Sequence, residues 1–180
     1  MSVVYFDGKN HVFTDSILTN AFDSTHAIDK VVKLPYLDDH WGCFVGIAGV
    51  CALYLDNFQD QYNSNQNPSK ALSIPLSVER KEHGEDCHVI IIDRKLDCLW
   101  YYSDTAHAFT KMKMGEFTIG HPRAVGAVQA TVALLGVGWK RDIADVLYKI
   151  DHTDTSYNHA TAGPYHIYNL KQDTHTVSNP

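Results

Sequence analysis

At 180 residues the chain has the length of one compact domain, and a globular chain of that size buries roughly 70% of its unfolded surface without needing crosslinks. Apolar residues make up 44% and charged residues 20%, which excludes wholesale disorder. The net charge of −6 argues against a general nucleic-acid binder, whose basic face would displace counterions. The longest apolar stretch, residues 43–55, is too short and too glycine-interrupted to cross a bilayer. No basic segment followed by an apolar one opens the sequence, so a cytoplasmic protein without a secretory signal is expected. Cys43, Cys51, Cys87 and Cys98 have no CxxC spacing and sit among apolar neighbours, as reduced core thiols do.

Along the chain, Val3-Val4-Tyr5-Phe6, the turn cluster Asp7-Gly8-Lys9-Asn10 and His11-Val12-Phe13 predict a hairpin. Residues 15–29 are polar, and Lys30-Val31-Val32-Lys33-Leu34 is a short β run closed by Pro35. Cys43-Phe44-Val45-Gly46-Ile47 reads as a buried strand running straight into a helix. That helix carries Cys51, Tyr54 or Leu55, Phe58 and Tyr62 on one face. Residues 63–86, polar and broken by Pro68 and Pro75, predict a long loop with a short strand in it. A second hairpin follows at 88–92 and 96–102, turned by Asp93-Arg94-Lys95, and then a short strand at 117–119. Two helices are predicted, 123–135 with Ala124, Ala127, Val128, Thr131 and Leu135 inward, and 142–150 with Ile143, Val146, Leu147 and Ile150 inward. Asp142 and Asp145 fall in the first turn of the second, where the helix dipole favours them. A last strand at 165–170 precedes a polar tail, 171–180, expected to fray. Strands in hairpins and helices in blocks predict an α+β layered fold in a single domain, 1–180.

This order resembles the proteasome β-subunit and HslV-like family of the N-terminal-nucleophile hydrolases. Four stretches carry the resemblance: the opening hairpin ending at Thr14-Asp15, the strand that begins at Lys30, the glycine- and alanine-rich Val45-Gly46-Ile47-Ala48-Gly49, and the run from Ile119-Gly120 through Lys140-Arg141-Asp142-Ile143-Ala144-Asp145 to the C-terminal strand. The resemblance implies a four-layer αββα sandwich, here with its first helical layer reduced because Pro68 and Pro75 break the second helix of that layer.

The resemblance also implies a chemistry. In the family the first residue of the mature chain is the nucleophile and its own α-amine is the base. A hydroxyl is weak at its free pKa and needs a base within hydrogen-bond reach, and an α-amine with a pKa near ~8 is one. Ser2 is small enough for Met1 to be removed ahead of it, and takes the nucleophile's place. Lys30 keeps the amine's pKa down, Asp15 holds Lys30, and the Gly46 N–H receives the oxyanion. Thr19 and Ala48 line the substrate strand. A peptide or protein substrate, a homo-oligomeric assembly and no cofactor, nucleic acid or membrane partner are implied.

Two departures motivate an alternative, a catalytically inactive proteasome-like fold used as a structural or regulatory interaction subunit. His121-Pro122-Arg123 stands where the family has a serine-glycine run, and 158–163 has Asn158 where the family has a carboxylate. The eleven histidines include no HExxH or zinc-ladder spacing; His83, Cys87 and His88 form the nearest set, and no metal is expected. His121 and Arg123 mark a helix start that an anion could approach. Trp41, Trp100 and Trp139 are expected in the core or at its edge.

Overall fold

The computed structural model describes residues 3–19, 25–27, 30–46, 48–64, 87–103, 109–153 and 164–180. In chain order the strands before the first helix are β1 (Val3–Asp7), β2 (His11–Thr14), β3 (Ile17–Thr19), β4 (Thr25–Ala27), β5 (Val31–Lys33) and β6 (His40–Val45). Helix α1 (Ala48–Asn63) leads to β7 (His88–Asp93), β8 (Cys98–Ser103), β9 (Phe109–Lys113) and β10 (Glu116–Gly120). Helix α2 (Pro122–Leu135), a 3-10 turn (Gly136–Gly138) and α3 (Trp139–Thr153) precede β11 (Tyr165–Asn169) and β12 (Thr174–Ser178). The chain divides into two compact units, one of Met1–Lys30 with Glu116–Pro180, the other of Val31–Gly115.

The first unit is an antiparallel sheet in the order β10-β1-β2-β11-β12, with β3 and β4 forming a separate two-stranded ribbon. The opening hairpin turns on Asp7-Gly8. Gly8 takes φ 74°, where a side chain is strained. Asp7 Oδ1 accepts the N–H groups of Lys9 and Asn10 at 2.9 Å and of His11 at 3.0 Å, and Oδ2 meets His11 Nδ1 at 2.9 Å. Burial alone would raise the Asp7 carboxyl, but these donors hold it below its usual range. One face of the sheet packs Val3, Tyr5, Phe13 and Tyr165 against Ala124 and Val128 of α2 and Ile143 and Leu147 of α3. Trp139 meets Tyr5 edge-on with ring centroids 5.1 Å apart.

Helix α2 starts on Pro122, whose missing N–H costs nothing at that position. It ends at Gly136, at φ 53°. Its buried side is Ala124, Val128 and Thr131; Leu135, expected inward, is 38% exposed because the chain has already turned at Gly136. Helix α3 starts three residues before the expected Asp142, at Trp139, so Asp142 but not Asp145 lies in its first turn. The tail does not fray. Residues 174–178 form β12 and pair with β11 from Asn169↔Thr174 to Tyr165↔Ser178.

The second unit is an antiparallel sheet in the order β5-β6-β7-β8-β9. Val89, Ile90, Ile91 and Ile92 of the central strand β7 are all buried. The inward side of α1 is the expected one: Cys51, Tyr54, Leu55 and Phe58 are buried. Phe58 meets Trp100 and Phe109 edge-on at 5.6 and 5.0 Å. Gly42 of β6 lets α1 approach, since a Cβ there would stand 2.6 Å from Leu55 Cδ2. Strand β9 was not expected from the sequence, nor was the β3–β4 ribbon, which falls inside the stretch read as polar. All four cysteines are buried and none forms a disulfide among the described residues, and burial pushes the Cys43 thiol up to about 12. Trp41, Trp100 and Trp139 are buried. Residues 65–86, with Pro68, Pro75 and His83, lie outside the described residues. Among the described residues no helix is long and apolar enough to cross a membrane.

Candidate active site

The site grows from the end of the opening hairpin. Strand β2 delivers Asp15 to the interior, and it is fully buried. Such a carboxylate needs partners, because an unpaired buried charge is very costly. Its Oδ1 receives two: the Lys30 ammonium at 2.5 Å and the Val3 backbone N–H at 2.9 Å. One oxygen atom therefore ties the third residue of the chain to Lys30. The lysine, a strand-end position that would ordinarily face solvent, is 1% exposed. Among the described residues Asp15 is the acceptor on its ammonium, which carries three protons. Burial lowers the Lys30 pKa, Asp15 opposes that, and the net direction is down.

The neighbourhood is polar and ordered. Thr14 Oγ1 donates to the Asp15 carbonyl at 2.7 Å. Ser16 Oγ donates to the Pro164 carbonyl at 2.5 Å, so the proton between Ser16 and His166, 2.8 Å apart, must come from His166 Nε2. A histidine that donates to a serine cannot also accept the serine's proton through that nitrogen. This Ser–His pair is thus a structural clamp from β11 onto the chain after Asp15, not a nucleophile and its base.

On the other side of β1, register pairs Val3 with Gly120 of β10. Gly120 takes φ 137°, a glycine conformation, and hands the chain to His121, which caps α2 without a side-chain hydrogen bond. The start of β1, the Asp15–Lys30 pair and the entry to α2 are thus tied through one carboxylate and one strand register.

The predicted site residues divide as follows. Asp15 and Lys30 are brought together. Ser2 lies outside the described residues, one position before Val3. Thr19 lies on β3, with its side chain outside the described part. Gly46 and Ala48 belong to the second unit. Gly46 sits at φ 126°, a backbone that side chains rarely adopt, just before α1; the Ala48 position opens that helix. Of the set His83, Cys87 and His88, His83 lies outside the described residues, and His88 Nδ1 bonds Tyr101 Oη at 2.8 Å. Among the described residues no three His, Cys, Asp or Glu side chains gather as metal ligands do.

Sequence reasoning did not single out Ser16 and His166, nor a second buried ion pair in the other unit. There His40 Nε2 lies 3.2 Å from Asp93 Oδ1, an ion-pair contact without good hydrogen-bond alignment. Asp93 also accepts from Leu96 N at 2.9 Å and from Tyr62 Oη and Trp100 Nε1, both at 3.3 Å. The only sequence trace was Asp93-Arg94-Lys95, read as a turn, which Asp93 does close through Leu96.

No protein-family model and no curated protein matches the sequence. Solved structures do match in shape. The eukaryotic HslV from Trypanosoma brucei superimposes with a TM-score of 0.56 at 11% identity, over 93% of this chain and 97% of that one. Anbu, the ancestral beta-subunit, from Yersinia bercovieri gives 0.55 at 11% identity, over 98% and 87%. Identity that low speaks for architecture alone. The chain thus has an α+β fold similar to that of HslV and Anbu, with the Asp15–Lys30 pair buried beside the start of its first strand.

Proposed function

We propose that the protein is a proteasome-like hydrolase of peptide or amide bonds in which Ser2, exposed by removal of Met1, is the nucleophile. The observation that carries this reading is the shared oxygen of Asp15, which binds the Lys30 ammonium and the Val3 N–H together and so pins the residue after Ser2 to a buried lysine. The Ser2 Oγ adds to the substrate carbonyl carbon while its proton passes to the Ser2 α-amine. The amine returns that proton to the departing nitrogen, leaving an acyl ester that water cleaves by the reverse route. Lys30, held by Asp15, keeps a positive charge beside the amine and so keeps it unprotonated near neutral pH. The roles of Gly46 as oxyanion donor, of Thr19 and Ala48 in substrate binding, and of a homo-oligomeric, cytoplasmic particle rest on the resemblance alone.

One observation favours a second reading, a silent subunit that uses the fold for protein contacts. His121 replaces the family's serine at the entry to α2, and its Nδ1 is buried without a hydrogen-bond partner among the described residues. Intact mass of the untagged protein, before and after an electrophilic peptide inhibitor that captures N-terminal hydroxyls, decides between them. Loss of Met1 with one adduct, absent in Lys30→Ala, is the expected result. Retained Met1 and no adduct overturn the hydrolase and leave the silent subunit.

A further inference from the structure

We propose that the outer edge of β12 and the groove beside it form a docking site for an acidic, extended peptide segment of a partner protein, which adds to the first unit's sheet as a sixth strand. Two independent features of that unit converge here.

The first is the edge itself. β12 pairs with β11 on one side, and among the described residues no strand pairs with its other side. Thr174, His175, Thr176 and Val177 are all exposed. Half of this strand's backbone N–H and C=O groups point outward, an arrangement that accepts another strand. Natural edges of this kind are usually blunted by an inward charge, a lysine, a proline or a bulge. Here the sequence Thr-His-Thr-Val-Ser has none of these, and its pairing with β11 is regular over all five residues.

The second is charge. A groove of about 390 Å³ reaches from β2 across β11 to β12 and is lined by His11, Ile167, Thr174 and Thr176 together with Lys140 and Arg141 from the start of α3. Among the described residues no carboxylate lines it, in a chain whose net charge is −6. Asp142 bonds the guanidinium of Arg141 at 3.0 Å, but this is an exposed pair, easily exchanged for another carboxylate. Lys140 lies over the Trp139 ring at 5.9 Å and has no carboxylate partner among the described residues. An extended chain presents alternate side chains to one face. Acidic residues at every second position of the added strand then fall on the side of the sheet where Lys140 and Arg141 share a groove with Thr174 and Thr176, while its backbone pairs with β12.

The probe is a fluorescent peptide of alternating Glu and Thr, capped at both ends, titrated into the full chain. Binding that weakens about tenfold in the Lys140→Glu, Arg141→Glu double variant is expected, with new protection from hydrogen exchange confined to 174–178. The same peptide with alternate backbone amides N-methylated must fail to bind, as must a version with Lys in place of Glu. Equal binding by the N-methylated peptide, or by the charge-reversed protein, overturns the proposal. So does an edge already protected in the free protein with a doubled solution mass, which would give β12 to a second copy of this chain.

Discussion

Asp15 and Asp93 are both fully buried and both face a basic side chain, one in each unit of the molecule, yet they hold their partners in opposite ways. Asp93 is closed. Its base, His40, lies on the neighbouring strand, and the other His40 nitrogen meets the Asp38 carbonyl at 2.7 Å. Tyr62, Trp100 and the Leu96 N–H take up the rest of the carboxylate. Asp15 instead joins the start of the chain to an ammonium that can donate more bonds than Asp15 accepts. A closed pair fixes a hairpin end. The Asp15–Lys30 pair leaves the ammonium with protons beyond the one Asp15 Oδ1 accepts, and on the proposed function these are what would serve the catalytic site.

Breaking the open pair should have the largest effect. Lys30→Met leaves Asp15 buried without its counter-charge, and removal of one partner of such a pair costs about 3–5 kcal/mol. The loss appears as a lower urea midpoint with an unchanged slope, together with loss of inhibitor capture. The double variant Asp15→Leu, Lys30→Met removes both charges and should recover much of the stability but none of the capture. Recovered capture would show that Lys30 acts only in folding.

The closed pair should be less sensitive. His40→Gln removes a base that can become neutral, so Asp93 keeps its other donors, and a loss of about 2 kcal/mol is expected. Asp93→Ala strands His40, Tyr62 and Trp100 together and should cost more than His40→Gln. A reversed order would make His40, not Asp93, the centre of the cluster.

The two pairs also separate by pH. Burial would raise the Asp93 carboxyl, but His40, Leu96 and Trp100 hold it at about 2, against a usual 3.8. Its contribution is present above about pH 4 and is lost as pH falls through 2. His40 is raised above 6.5; burial lowers it, and Asp93 and the Asp38 carbonyl outweigh burial. Its contribution is full below pH 6.5 and is lost as pH rises through its folded value. Lys30 runs the other way. Its folded pKa lies below 10.5, so the unfolded chain binds the extra proton and stability rises as pH climbs towards 10.5. Chemical denaturation from pH 5 to 10 should therefore show a His40-dependent fall, absent in His40→Gln, and a Lys30-dependent rise, absent in Lys30→Met.

The contrast also shows what a sequence can reveal. α1, α2 and the β7–β8 hairpin were legible because each buries a periodic face or a continuous apolar run. The missed strands lack that signal. β9 buries only Phe109 of its five residues, and β12 buries none. Both are sheet edges, where pairing comes from the backbone of one neighbour and leaves no apolar alternation. The same blindness covers the ion pairs. Lys30 and Asp15 are fifteen positions apart, and His40 and Asp93 more than fifty, so no local spacing joins them. The first pair was found through a family resemblance, and the second, with no resemblance to guide it, was not.

The finest test of the closed pair is Tyr62→Phe. The phenol bond to Asp93 is long at 3.3 Å, and the ring keeps its contacts with Phe58 and His40 at 5.7 and 4.9 Å, so stability at neutral pH should drop by about 1 kcal/mol or less. Burial and the Asp93 charge push the Tyr62 hydroxyl up to about 12, so it remains a donor throughout the range studied. Removing a donor to the ionised form of Asp93 raises that carboxyl's pKa. The acid limb of unfolding should then begin at a higher pH in Tyr62→Phe than in the parent, while the His40 limb, set mainly by Asp93 itself, stays in place. A shift of both limbs would mean that Tyr62 positions His40 through their edge-on ring contact rather than serving the carboxylate alone.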